Sequence, residues 1–465
     1  MAFYEEIGRW GDATALVTEQ GACMTYAALA DAADGFGSHL GGRGLGFLLA
    51  QNNPESVIGY LGFLRSGTPT ALQSAALHPE LLAGLLDAYR PHYVWLPRDR
   101  AGEVAGGKEV FALGQHVLLA TEAPALVPHE DLALLVSTSG STGSPKWVRQ
   151  SYRNLASNAD AIARYLEIRS IDRPITSLPM SYVFGLSIIN SHLLCGASIV
   201  LTNRSLAEKG FWDALKEGKA TSFSGVPYAF EMLKRLRFGR MNLPSLKVVT
   251  QAGGKLNASL VHEFATLCSE KGIKFFVMYG AAEATARMSY LPPDVVIEKP
   301  DSIGIAVPGG EFWIEDDNGC TLRRPGEIGE LIYRGDNVAQ GYATCREDLA
   351  LGDQWGGVLR TGDLARFDEE GCFYVVGRKR RFIKVFGNRV NLEEIEQHVR
   401  KQGIDCACGG EDDRLRVYIS DPSRKETVAA FVEQLTRLHR SACDVVVIKE
   451  IPRNESGKIS YAVLP

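Results

Sequence analysis

The sequence has 465 residues, too many for one hydrophobic core and enough for one large plus one small domain, or three modest ones. Hydrophobic residues at 45% and charged residues at 23% describe a globular chain, and a formal net charge of −5 offers no basic footprint for nucleic acid. No apolar run reaches the roughly 18 residues that a membrane span needs, so no span is expected. The acidic start, with Glu5 and Glu6, lacks the basic opening and apolar core of a signal peptide. The cysteines are odd in number and scattered singly, which fits reduced thiols and a cytoplasmic location. Cys406 and Cys408 are too close for a usual zinc pair and have no His/Cys partner pair nearby.

Up to about residue 130, helical and strand patterns alternate. Thr25 opens a helix through Leu29, Ala33 and Phe36, and the glycines from Gly41 to Gly46 precede an apparent strand over residues 47–50. These glycines follow a helix and precede a strand, the reverse of the dinucleotide fingerprint, so they read as a helix stop. A helix over residues 54–64 and a short strand over residues 93–96 continue the alternation, which implies a largely parallel sheet covered on both faces.

Residues 132–136 form an apolar run that reads as a buried strand. It empties into Thr138, Ser139, Gly140, Ser141, Thr142, Gly143 and then Lys146, and a helical pattern follows through Leu155, Ala159 and Ile162. Glycines let backbone N–H groups turn inward, hydroxyls add donors and the lysine adds charge, so the loop suits a polyphosphate. It lacks the Gly-Lys-Ser/Thr triplet of a Walker A loop. Further strand patterns follow near residues 198–201, 221–227, 247–250 and 274–278. The turns at Gly253-Gly254 and Tyr279–Glu283 fall at the carboxyl ends of two of them, where open α/β sheets gather functional residues. A carboxylate at Glu283 suits Mg²⁺ when phosphates supply the other ligands.

From about residue 300 the texture changes to short β-like segments with glycine-rich turns. A basic run follows at residues 378–384, then a helix led by Asn391 and Glu394, and a small α+β unit that ends in the loop carrying Lys458. No internal repeat is evident.

Five stretches in order carry a resemblance: Thr138–Lys146, Tyr279–Glu283, Arg360–Asp363, Gly377-Arg378 with Ile383-Lys384, and Pro452–Lys458. Together they resemble the adenylate-forming superfamily of acyl-CoA synthetases, adenylation domains and luciferases, over nearly the whole chain. The resemblance implies an α/β fold. A large N-terminal domain, residues 1–379, would have mostly parallel sheets covered by helices and a β-rich subdomain from about 300. A small mobile α+β C-terminal domain, residues 380–465, would follow a hinge at Arg380.

It also implies the chemistry. ATP and a small-molecule carboxylic acid give an acyl-adenylate and pyrophosphate, and a thiol then takes the acyl group, either CoA or the phosphopantetheine of a carrier protein. The reaction brings two anions together, so charge at the α-phosphate must be neutralised, and the resemblance gives that part to Lys458. It gives the β- and γ-phosphates to the Thr138–Lys146 loop, Mg²⁺ to Glu283, the ribose hydroxyls to Asp363 with Arg378, and adenine to Tyr279 and Gly280 beside Gly253-Gly254. Tyr182, Val183, Gly185 and Ala281 are the expected substrate-pocket residues. Lys379, Arg380, Arg381, Lys384 and Arg389 form a basic cluster near the hinge that could receive an anionic thiol donor.

The departures bear on substrate. Relatives that activate α-amino acids usually carry aspartate at the position of Val183, and an ammonium buried beside valine would lose its partner. The expectation is therefore a non-amino-acid carboxylate, aliphatic or aryl. Tyr152 stands where histidine is common and Ala282 where threonine is common. Transfer to an amine, or a binding protein without turnover, are the alternatives.

Overall fold

The structure is a computed structural model that describes residues 2–137, 147–379, 382–385, 388–411, 414–436, 442–453 and 459–465. The phosphate-loop residues Thr138, Ser139, Gly140, Ser141, Thr142, Gly143 and Lys146, the hinge residues Arg380 and Arg381, and Lys458 lie outside the described residues, as do the side chains of Lys384 and Arg389.

The chain divides into two compact units. One takes the described residues up to 311 together with 334–359. The other takes 312–333 and those from 360 onward. The β-rich stretch thus groups by packing with the carboxyl-terminal residues.

The first unit holds an eight-stranded sheet. Its centre is parallel, with Leu132–Ser137, Thr70–Ser74, Gly46–Ala50 and Tyr93–Pro97 side by side. Runs such as Phe47, Leu48 and Leu49 are buried on both faces, as a sheet covered by helices on either side requires. The edges are antiparallel: His116–Ala120 and Lys108–Leu113 on one side, Trp147–Ser151 and Tyr342–Ala343 on the other. The expected "mostly parallel" sheet is therefore mixed, because hairpins close both of its ends.

A second sheet places Ser222–Gly225, Val248–Gln251 and Lys274–Tyr279 in parallel and adds Ser289–Leu291 and Ile305–Ala306 antiparallel. The helices form where the spacing predicts them. Tyr26–Gly37 is capped by Thr25, whose hydroxyl accepts from Ala28 N at 3.1 Å. Tyr152–Tyr165 starts with a capping box in which Ser151 and Asn154 satisfy each other's backbone N–H groups. No helix among the described residues is long and apolar enough to cross a membrane.

The second unit has a five-stranded sheet that includes Val358–Phe367 and Phe373–Arg378 as an antiparallel pair. It continues into a three-stranded sheet, Cys406–Glu411, Arg414–Ile419 and Cys443–Val447, packed with the helices Leu392–Lys401 and Lys425–Thr436. Cys406 and Cys408 are buried here, Cys408 against the hydrophobic cluster around Val417 and Val432, so their part is packing. All nine cysteines are free thiols.

Candidate active site

In the first unit the candidate residues lie at the carboxyl ends of the second sheet. Lys274–Tyr279 ends in a turn whose tightness depends on Gly280: a Cβ there would lie 1.8 Å from the Ala286 carbonyl oxygen. A short 3-10 turn, Ala282–Ala284, then presents Glu283. Three contacts fix that turn. Gln150 Nε2 donates to Ala282 O at 2.9 Å, Ala339 N donates to Glu283 O at 2.9 Å, and Tyr342 Oη donates to Glu283 Oε1 at 2.9 Å. One carboxylate oxygen is thereby oriented. Among the described residues no group of three or more His, Cys, Asp or Glu side chains is placed to hold a metal ion. A hard cation here would draw its remaining ligands from phosphates and water, which is how Mg²⁺ sits beside a nucleotide.

Gly253 follows the strand Val248–Gln251 with φ +85°, and a Cβ there would meet Tyr182 Oη at 2.8 Å. Tyr182 and the Gly253-Gly254 turn are thus brought together. Tyr182 precedes the helix Val183–Leu194, whose first turn packs so closely on the preceding chain that a Cβ on Gly185 would lie 2.2 Å from the Pro179 carbonyl oxygen. Val183 packs against the main hydrophobic core, and Ala281 leads into the Glu283 turn.

A small cavity of about 40 Å³ lies between the helix Val183–Leu194 and the second sheet. Phe184 and Ser187 line it from the helix, Ser224 and Thr250 from the sheet, and Met278 and Arg287 beyond them. Arg287 is a residue that the sequence reading passed over. It is 3% exposed, and its guanidinium carbon stands 3.9 Å from the centre of the Phe184 ring. The signal available was a lone charge in an otherwise small and apolar stretch, Ala284–Tyr290.

In the second unit Asp363 and Arg378 face each other across the antiparallel pair, and Arg378 Nε donates to Asp363 Oδ1 at 2.9 Å. Asp363 is buried while Arg378 is exposed, so the carboxylate is held by its strand and the guanidinium is the adjustable partner. Lys379 is engaged by Asp317 and Glu330, each at 3.2 Å, and these acceptors push its pKa above the ordinary lysine range. Of the expected basic cluster, Lys379 is therefore committed to carboxylates of its own unit.

A family model described as AMP-binding enzyme matches residues 3–343. The chain belongs to the AMP-binding enzyme family. It is 30% identical over 341 residues to the 2-succinylbenzoate–CoA ligase of Bacillus pumilus, covering 70% of this chain and 67% of that one. It is also 30% identical over 342 residues to the indoleacetate–CoA ligase of Aromatoleum aromaticum, covering 70% and 65%. In fold it resembles the o-succinylbenzoate CoA synthetase of Bacillus subtilis. The complex with the acyl-adenylate OSB-AMP superposes with a TM-score of 0.80 at 23% identity, covering 99% of this chain and 96% of that one. The complex with ATP and a magnesium ion gives 0.75 at 22% identity, covering 100% and 99%. The protein is an AMP-forming acid–thiol ligase. It forms an acyl-adenylate from ATP and a carboxylic acid and passes the acyl group to a thiol.

Proposed function

We propose that the acid is an aryl or short aliphatic carboxylate without an α-amino group, and that the site residues divide the work as the family resemblance implies. The observation that carries the substrate reading is the charge of the cavity wall. Its charged lining groups are Arg287 and Asp172, and Asp172 is already engaged. It accepts from Arg169 N at 2.8 Å and lies 4.0 Å from Lys247 Nζ. His192, also in the wall, is held neutral, because burial pulls its pKa down to about 4. An ammonium entering this cavity would meet a buried guanidinium and no available carboxylate, which costs several kcal/mol on any estimate of unpaired buried charge.

Within that reading, Thr138, Ser139, Gly140, Ser141, Thr142, Gly143 and Lys146 cradle the leaving pyrophosphate, and Lys458 neutralises the α-phosphate. Tyr279, with Gly280, Gly253 and Gly254, receives adenine. Glu283 holds the cation, whose charge offsets the phosphates. Tyr182, Val183, Gly185 and Ala281 shape the approach of the acid. The small domain, residues 380–465, turns about Arg380 between adenylation and thioester formation. A cytoplasmic location is supported by the nine free thiols.

The deciding measurement is carboxylate-dependent exchange of pyrophosphate into ATP over an acid panel, with Lys458→Ala as control, followed by product analysis with CoA, a carrier protein or amines. Exchange with aryl or short aliphatic acids, none with amino acids, and acyl-CoA as the product are expected. Exchange confined to amino acids would sink the reading. Asp363 has its own test. Charge-assisted hydrogen bonds to two ribose hydroxyls are each worth about 1.5–3 kcal/mol, so Asp363→Ala should raise KM for ATP by about tenfold or more with a smaller loss in kcat. An unchanged KM for ATP would remove Asp363 from the nucleotide site.

A further inference from the structure

Three buried arginines in the first unit invite comparison. Arg149 donates to the carbonyls of Tyr342, Leu351, Gly352 and Gln340 and to Gln354 Oε1. Arg346 donates to the carbonyls of Tyr89, Ala125 and Pro124. Both guanidinium groups are closed by acceptors that the fold supplies. Arg287 is not. Its Nη1 donates to Ala286 O at 3.2 Å and its guanidinium shares a side-chain hydrogen bond with the Tyr165 hydroxyl, but its Nε has no partner and no carboxylate among the described residues lies within ion-pairing distance of it. The other polar groups around it are committed or neutral. Ser187 Oγ donates to Phe184 O, and Ser224 and Thr250 bond to each other at 2.7 Å. The Tyr165 hydroxyl beside it donates to Met278 Sδ, and burial pushes its pKa up to about 12. Burial likewise raises Tyr182. Neither phenol supplies negative charge at neutral pH.

A buried guanidinium that lacks a counter-ion and lines the substrate cavity is poorly explained as scaffold, since burying unpaired charge is among the larger single penalties in a fold. The backbone at this position is nevertheless firmly set. The Arg287 carbonyl accepts from Asn158 Nδ2 at 3.0 Å and from Asn337 Nδ2 at 2.8 Å, so the side chain is aimed rather than loose. Phe184 covers one face of the guanidinium.

We propose that the acid activated here carries a second carboxylate, and that Arg287 is the specificity-determining residue that receives it while the first carboxylate is adenylated. The inference rests on the reading of the cavity as the acid site. Arg287 and the incoming carboxylate would form the ion pair that the cavity wall lacks, with the planar fork suited to bidentate contact.

The test uses succinate, glutarate, phthalate and isophthalate, each paired with its mono-amide, which keeps the shape and removes the second charge. In wild-type pyrophosphate exchange at least one diacid should exceed its mono-amide by about tenfold or more in kcat/KM, because a site built to pair a group rejects the analogue that lacks it. Arg287→Gln should level that pair without changing KM for ATP, and Arg287→Lys should keep part of the preference. A wild type that activates monoacids and no diacid overturns the proposal, as does an Arg287→Gln enzyme with the wild-type preference. Should Arg287→Gln not fold, the wild-type pairs and Arg287→Lys decide. If no acid of any kind supports exchange, the enzymatic reading fails instead. Calorimetric binding of the same pairs to the wild type then still judges Arg287, with equal affinities within every pair counting against it.

Discussion

Glu283→Gln should lower carboxylate-dependent pyrophosphate exchange by about 10²–10³-fold at ordinary Mg²⁺, the range found when one preorganised electrostatic contact to a developing charge is lost. The replacement is nearly isosteric. Tyr342 Oη can still donate to the amide oxygen, as it now does to Glu283 Oε1 at 2.9 Å, and the backbone bond from Ala339 N is untouched. What disappears is the negative charge that, on the proposed reading, offsets a divalent cation. The loss should accordingly be relieved in part by raising Mg²⁺, and the midpoint of a Mg²⁺ titration should move upward. Tyr342→Phe supplies the contrast: it keeps the charge and removes only the orienting hydroxyl, so a much smaller shift is expected. Stability should change by only about 0.5 kcal/mol in Glu283→Gln, since the side chain is neither fully buried nor ion-paired among the described residues. A Glu283→Gln enzyme that turned over at the wild-type rate and midpoint would take the cation away from this residue.

Why Glu283 could be picked out in the sequence, and Arg287 four residues later could not, is a matter of what each inference requires. Glu283 follows an apolar stretch ending at Met278 and a small-residue turn, and position at the end of a parallel strand is a local property that apolar runs reveal. The same local signal located three of the four central parallel strands of the eight-stranded sheet but not Thr70–Ser74. It did not reveal the antiparallel edges Lys108–Leu113 and His116–Ala120, whose pairing depends on a hairpin closing onto Tyr93–Pro97. Arg287 is informative because it is buried and lacks a counter-ion, and both facts are sums over the neighbouring helix and sheet. Lys379 shows the reverse case. In sequence it belonged to a basic cluster open to an anionic donor, but Asp317 and Glu330, distant along the chain, occupy it. Charge clusters are legible in sequence; their partners are not.

Arg149→Met should destabilise the first unit by about 3–5 kcal/mol, read as a lower midpoint in urea unfolding, because it strands several acceptors at once. Arg149 is fully buried on the strand Trp147–Ser151 and serves the carbonyls of Gln340, Tyr342, Leu351 and Gly352 together with Gln354. Burial lowers its pKa from the ordinary arginine range, so the bond set has to offset a real desolvation cost. Arg149→Lys should recover little, since one ammonium cannot reproduce a planar fork that reaches carbonyls on several sides. A functional consequence should accompany the loss of stability. Val148 is paired with Tyr342, and Tyr342 orients Glu283, so loosening this edge should also raise the Mg²⁺ requirement of the folded fraction. Arg149→Met with an unchanged midpoint, or Arg149→Lys equal to wild type, would show that these carbonyls find water or other donors. Paired with the Arg287 variants, the experiment separates two uses of one residue type. An arginine closed by backbone carbonyls should cost stability when removed, whereas one left open toward a cavity should cost selectivity.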